Sequence, residues 1–332
     1  MSSTPAAADG NDVDFAQLLT QWDLQFGRTR PDIALVGSPD RSQARMAVED
    51  TDGDMYVLER VFPAKLAARR EQAKMLWELD ALGLPVIPWL NTTSDDFFAY
   101  GRDSAAWQLQ DYVQGIPLQR PAYAGDAWRG ECLASFLTAL RLPDTVAFLP
   151  VTDPFDLPLY AKNLVKSYQR NRPELAKDLA PICKELEGFW KFYREIPRAF
   201  CHGDYHPLNI IWDKNAINGV IDWEFMGTKA ECYDAANIIG CVGMDDPAQL
   251  TGPLVMSMLS FLKGHRVWAS ASWEMLPEFV ATLRFAWLRE WVIHEPLDTI
   301  CQELDLIWLI LDNRDHLRKR WQNAGNRSPT DN

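Results

Sequence analysis

The chain changes its hydrophobic period once, near Gly115, and that change limits the folds open to it. Before Gly115, short β-prone runs alternate with turn residues; beyond it, apolar residues recur at helical spacing. Phe15–Phe26 reads as an amphipathic helix. Arg45–Glu49 and Met55–Val61 flank Asp52-Gly53, a strong hairpin signal. Leu66–Leu82 reads as a helix stopped by Gly83, and Phe97–Tyr100 and Ala106–Val113 as further strands. The later segments Leu133–Leu140, Tyr160–Tyr168, Leu175–Trp190, Leu254–Leu262, Leu276–Trp291 and Leu304–Trp321 read as helices. One exception interrupts them: Asn209–Trp212 and Gly219–Asp222 are short apolar runs on either side of the polar Asp213–Asn218, a hairpin amid helices. The pattern predicts an α+β chain. A small antiparallel-sheet lobe with one long helix spans 14–113, and a larger, mainly helical lobe spans 114–321. Residues 1–13 and 322–332 read as loose tails.

The 332 residues suffice for two such domains. Lys and Arg number 33 against 46 Asp and Glu, a net charge of −13, which excludes a broad phosphate-backbone footprint and hence a nucleic-acid partner. No run approaches the roughly 18 apolar residues of a membrane-spanning helix. The first residues lack the basic and apolar regions of a secretory leader. The six cysteines are scattered without a C-x-x-C pair. These features predict a cytoplasmic protein with reduced thiols and no membrane insertion.

The most informative segment is Phe200-Cys201-His202-Gly203-Asp204-Tyr205-His206-Pro207-Leu208-Asn209, followed by Ile221-Asp222-Trp223-Glu224. Phosphoryl transfer needs a carboxylate that orients the attacking hydroxyl and accepts its proton. It also needs an amide or carboxylate, and a second carboxylate, to clamp a divalent cation against nucleotide phosphates. Asp204, Asn209 and Asp222 are groups of those types, and a hairpin sets positions 209 and 222 side by side.

His202-x-Asp204-x-x-x-x-Asn209, with Ile221-Asp222-Trp223-Glu224 downstream, resembles the catalytic segment of the aminoglycoside phosphotransferase and choline kinase superfamily, small-molecule kinases with a protein-kinase-like two-lobe fold. The order of elements from Phe15 to Trp321 resembles that family too. The resemblance implies transfer of the γ-phosphate of ATP to a hydroxyl of a small molecule, an amino alcohol, amino sugar or similar, with a cationic acceptor among the options. It implies Asp204 as catalytic base, Asn209 and Asp222 as Mg²⁺ ligands, His202 as a loop brace, and Asp234 as the residue that secures the catalytic loop. A helix N-cap is an equally natural use of Asp234. Glu224 is expected near metal-bound water or the substrate.

On the nucleotide side, the resemblance calls for a basic residue on the strand Met55–Val61. Glu59 occupies the most natural position, so a bulge or register shift is expected to turn Arg60 inward, with Glu71 as its helical partner. Backbone N–H groups of Ser38–Arg41 and the Arg41 or Arg45 side chain are expected to cradle phosphate. Main-chain groups from Asp111 to Val113 are expected to hold the adenine. Two other readings stay open: a pseudokinase that binds nucleotide without turnover, and a metal hydrolase built on His202-x-Asp204-x-His206.

Overall fold

The protein, a computed structural model, is described for residues 13–37, 42–150, 152–294 and 296–325. It divides into two compact units: Met1–Ile116 with Leu208–Glu224, and Pro117–Pro207 with Phe225–Asn332. The expected boundary after residue 113 assigned the hairpin to the helical lobe; the hairpin instead belongs to the first unit. The Val220 amide donates to Pro85 O at 2.8 Å. Isolated bridges join Val86 to Val220 and Ile116 to Trp212. Ile211 and Ile221 share an apolar cluster with Ile87 and Val113.

The first unit carries an antiparallel sheet of five strands, β1 (Phe26–Thr29), β2 (Ala44–Asp50), β3 (Met55–Arg60), β4 (Ala99–Tyr100) and β5 (Ala106–Asp111), in the order β1-β2-β3-β5-β4. The β2–β3 connection is the expected Asp52-Gly53 turn, where Gly53 takes φ +92°, a backbone open to glycine at little cost. Side chains alternate between faces along each strand. Val48, Tyr56, Leu58, Trp107 and Leu109 point to one face, where they bury Leu18, Leu19 and Trp22. Arg45, Glu59, Gln108 and Gln110 point to the other. The expected helix Phe15–Phe26 is shorter. It runs Phe15–Leu19, tightens into a 3₁₀ turn at Thr20–Trp22 and ends where Asp23 turns left-handed at φ 60°. Phe26 then opens β1 and stacks on Phe15 at 5.5 Å. The helix Leu66–Ala81 follows β3 and ends before Gly83, at φ +76°.

The second unit is built of helices, among them Ala127–Ala139, Leu157–Asn171, Pro173–Phe192, Tyr233–Asp245, Pro253–Gly264, Leu276–His294 and Leu297–Asp312. A two-stranded ribbon, Arg198–Cys201 with Gly227–Ala230, lies in the same unit. Its interior holds a fully buried ion pair: Arg284 Nη2 donates to Glu303 Oε2 at 2.6 Å, and Arg284 Nε donates to the other oxygen. Among the described residues no helix is long and apolar enough to cross a membrane.

Candidate active site

In the second unit, the strand Arg198–Cys201 delivers the chain into a tight loop. Gly203 has φ +87°, and a Cβ there would stand 2.0 Å from the Phe225 carbonyl oxygen, so only glycine fits. Asp234 holds this loop with both oxygens. Its Oδ2 accepts from the His202 amide and its Oδ1 from the Gly203 amide, each at 2.8 Å. Asp234 lies in the first turn of the helix Tyr233–Asp245, whose N-cap is Cys232, so it is not the cap residue. The buried His202 ring braces the next residue: its Nδ1 accepts from the Asp204 amide at 3.1 Å. Asp204 is buried, with His206 Nε2 3.5 Å from its Oδ1.

Asn237, which sequence reasoning missed, completes this support together with Trp287. Asn237 donates from Nδ2 to Tyr205 O at 3.3 Å and accepts from Trp287 Nε1 at 2.8 Å. Trp287 in turn meets the His206 ring edge-on at 5.4 Å. Asn237 lies one helical turn from Asp234, and that spacing was the available signal. Burial pushes the nearby Cys201 and Cys241 thiols up to about 12, which keeps them protonated and poor nucleophiles. His202 and His206 are thus engaged separately, one with loop backbone and one against Trp287. Among the described residues no group of three or more His, Cys, Asp or Glu side chains is arranged to hold a metal ion.

In the first unit, Asn209 ends a short 3₁₀ turn and leads into the strand Ile210–Trp212, which pairs with Ile217–Val220. The strands are thus offset from the expected runs, and Asp222 lies beyond the second one. The Ile221 amide donates to Asn209 O at 3.1 Å, which sets Asp222 beside Asn209. Asp222 takes φ +64°, a strained value for a residue with a Cβ, and such strain clusters at functional positions. An amide and a carboxylate oxygen on adjacent chain segments suit a hard cation such as Mg²⁺, which takes few protein ligands and completes its shell with water and phosphate.

The sheet face carries a charged row that the sequence reading placed wrongly. Arg60 does not turn inward. It lies in unbroken register opposite Trp107, on the same face as Leu58, and pairs with Asp103 at 2.7 Å. Glu71 is exposed and pairs with Lys74 at 2.8 Å. The inward position belongs to Glu59, and its cations come from elsewhere: Arg45 on β2 at 2.7 Å, and Arg69 on the helix Leu66–Ala81 at 3.7 Å. Burial, with Asp222 and Glu224 nearby, pushes the Glu59 carboxyl up against the pull of Arg69 and Arg45. Counting outward from the Asp52-Gly53 turn pairs position 45 with 59, so this register was within reach of the sequence.

Glu224 is tied to Arg69 at 2.7 Å and to Lys65 at 3.2 Å. Asp111 ends β5 and is exposed. Val113 packs on the Ile87 cluster. Ser38 and Arg41 lie outside the described residues.

Comparison with known proteins accords with this geometry. The profile of the phosphotransferase enzyme family, APH, matches residues 36–273. A homoserine kinase of Zymomonas mobilis is 26% identical over 139 residues, which is 42% of this chain and 42% of that protein, so the chain spans well under half of that relative's length. Among solved structures, the amicoumacin kinase hAmiN with AMP-PNP and Ca²⁺ superposes with a TM-score of 0.62 at 16% identity, covering 90% of this chain and 94% of the other. The GDP complex of aminoglycoside 2'-phosphotransferase-IIIa superposes with a TM-score of 0.58 at 17% identity, covering 90% and 98%. At these identities the likeness shows a shared kinase-like fold.

Proposed function

We infer the reaction from kinship: the chain belongs to the phosphotransferase enzyme family, and its residues equip it to move the terminal phosphoryl group of ATP to a hydroxyl of a small molecule. The observation that carries this reading is the clamp of Asp234 on the His202 and Gly203 amides. It fixes the backbone that presents Asp204 before any substrate arrives. Asp204 orients the acceptor hydroxyl and takes its proton as transfer proceeds through a loose transition state, so positioning and charge make up most of its contribution. Asn209 and Asp222 would hold Mg²⁺, which when bound supplies positive charge to the phosphate oxygens.

For the acceptor, we propose a small alcohol that carries both an amine and an acid. A cavity of about 520 Å³ in the second unit is lined by Asp153, Asp156, Tyr160 and Lys229, which offer both signs of charge. It adjoins the loop, because Lys229 Cε lies 2.8 Å from where a Gly203 Cβ would stand. The homoserine kinase similarity accords with such an acceptor. The test is ADP release with Mg²⁺ and ATP across neutral, cationic and zwitterionic alcohols. Turnover is expected to be fastest with the zwitterions. ATP binding without transfer to any alcohol would overturn the reading in favour of a pseudokinase.

A further inference from the structure

We propose that Arg45 is the phosphate-contacting cation of this protein and that Glu59 is the residue that positions it. The inference rests on the nucleotide reading above, which requires a cation close to Asp222 to meet a polyanionic ligand. Three basic side chains of the first unit share this face: Lys65, Arg69 and Arg45. Lys65 and Arg69 are both drawn to Glu224, and Arg69 also faces Glu59. Arg45 differs. Its Nε end is held by Glu59 Oε1 at 2.7 Å, while its Nη1 end reaches the Val36–Gly37 turn and donates to Val36 O at 2.6 Å. A Cβ on Gly37 would stand 3.2 Å from Arg45 Nη1 and 3.0 Å from Asp222 Oδ2, so the guanidinium and the metal-side carboxylate flank the same glycine.

Gly37 itself has φ +103°, which lets the turn approach that closely. Glu59 Oε2 and both polar ends of the fully buried Gln108, its partner across β3–β5, have no hydrogen-bond partner among the described residues. Most buried polar groups in folded proteins are paired, so a cluster of orphans on one sheet face marks a place completed by a polar ligand and its water.

The arrangement makes β2, not β3, the strand that supplies the cation, and it explains why a carboxylate stands inward at position 59. Titration calorimetry with MgATP and with adenosine tests it on the full chain. Arg45→Met is expected to weaken MgATP binding by roughly 10–100-fold, the loss of a charge-assisted contact, and to leave adenosine binding unchanged. Arg60→Met should bind MgATP within about twofold of wild type, because that side chain faces away. The double variant R45M/E59K returns a cation to the same row and is expected to recover about tenfold of the loss, which a merely structural role would not do.

Folded R45M with wild-type MgATP affinity would overturn the inference and leave the phosphotransfer reading standing. A wild type that binds no nucleoside triphosphate would overturn that reading and this inference with it. If R45M does not fold, R45K and R45M/E59K decide. A few-fold loss in R45K, as its Glu59 hold is broken, supports the assignment, whereas full affinity in R45K with none in R45M/E59K overturns it.

Discussion

The two units hold their charged groups in opposite ways. The loop around Asp204 is closed: Asp234 accepts two backbone amides, His202 accepts a third, and Asn237 ties Tyr205 to Trp287. The row around Glu59 is looser: among the described residues Glu59 Oε2 meets only Arg69, at 3.7 Å and without a hydrogen bond, and the Gln108 amide has no hydrogen-bond partner. A general base gains from rigidity, since its value lies in geometry fixed before reaction. A phosphate cradle that must release product gains from groups that reach full satisfaction only with ligand bound.

The largest effect is expected at Asp204. Asp204→Asn keeps the shape and one acceptor oxygen but removes charge and basicity. We predict a fall in turnover of about 10²–10⁴, with MgATP affinity nearly unchanged. Steady-state kinetics beside calorimetry read both, and wild-type turnover in the variant would remove Asp204 from the mechanism.

Next in size is the closed pair deep in the second unit. Arg284→Met strands the buried Glu303 carboxylate and is expected to cost about 3–5 kcal/mol of stability, whereas R284M/E303L, which removes both charges, should return to within about 1–2 kcal/mol of wild type. Denaturant titration of both variants checks this. Equal losses in the single and double variants would mean the pair is more than a compensated burial.

Asp234→Ala tests the closure of the loop itself. Two charge-assisted hydrogen bonds are lost, about 1.5–3 kcal/mol each at most when partners relax little. We expect turnover to fall while MgATP affinity holds, because the loop loosens without touching the sheet row. Loss of affinity in equal measure would erase the distinction between the two regions.

How much of this was legible in the sequence follows the range of the interactions. The Asp52-Gly53 turn, the helix ending at Gly83 and the spacing of Asp204, Asn209 and Asp222 are local, and each was readable. Arg60 was misplaced because the reading expected a bulge at β3, while the strand keeps strict alternation and Glu59 stays inward. Parity alone favoured Glu59; its cation on β2 became visible only by pairing strands across the turn. The hairpin's place in the first unit rests on Pro85, Val86 and Ile116 meeting residues 96 to 135 positions away, which no window of sequence reports. Asn237 is the opposite case: its only signal was local, the one-turn spacing from Asp234 on the same helix.

The smallest effect we predict sits where the closed loop meets its cavity. Lys229 is buried on the strand Gly227–Ala230, with its ammonium 5.4 Å from the Phe155 and Tyr233 ring centres. Burial lowers its pKa from the usual value, although Cys201 and Asp234 pull the other way. Between the lowered folded pKa and the ordinary unfolded one, the unfolded chain binds more protons, so stability rises with pH across that window. Below it the penalty for burying the charge is constant, offset in part by the ring contacts. Lys229→Met keeps most of the volume and removes the charge. It should therefore be more stable than wild type at neutral pH by less than about 1 kcal/mol, with the gap closing toward alkaline pH. Melting curves from pH 7 to 10 check the sign. A variant less stable at neutral pH would show that the two aromatic faces outweigh the desolvation of the ammonium.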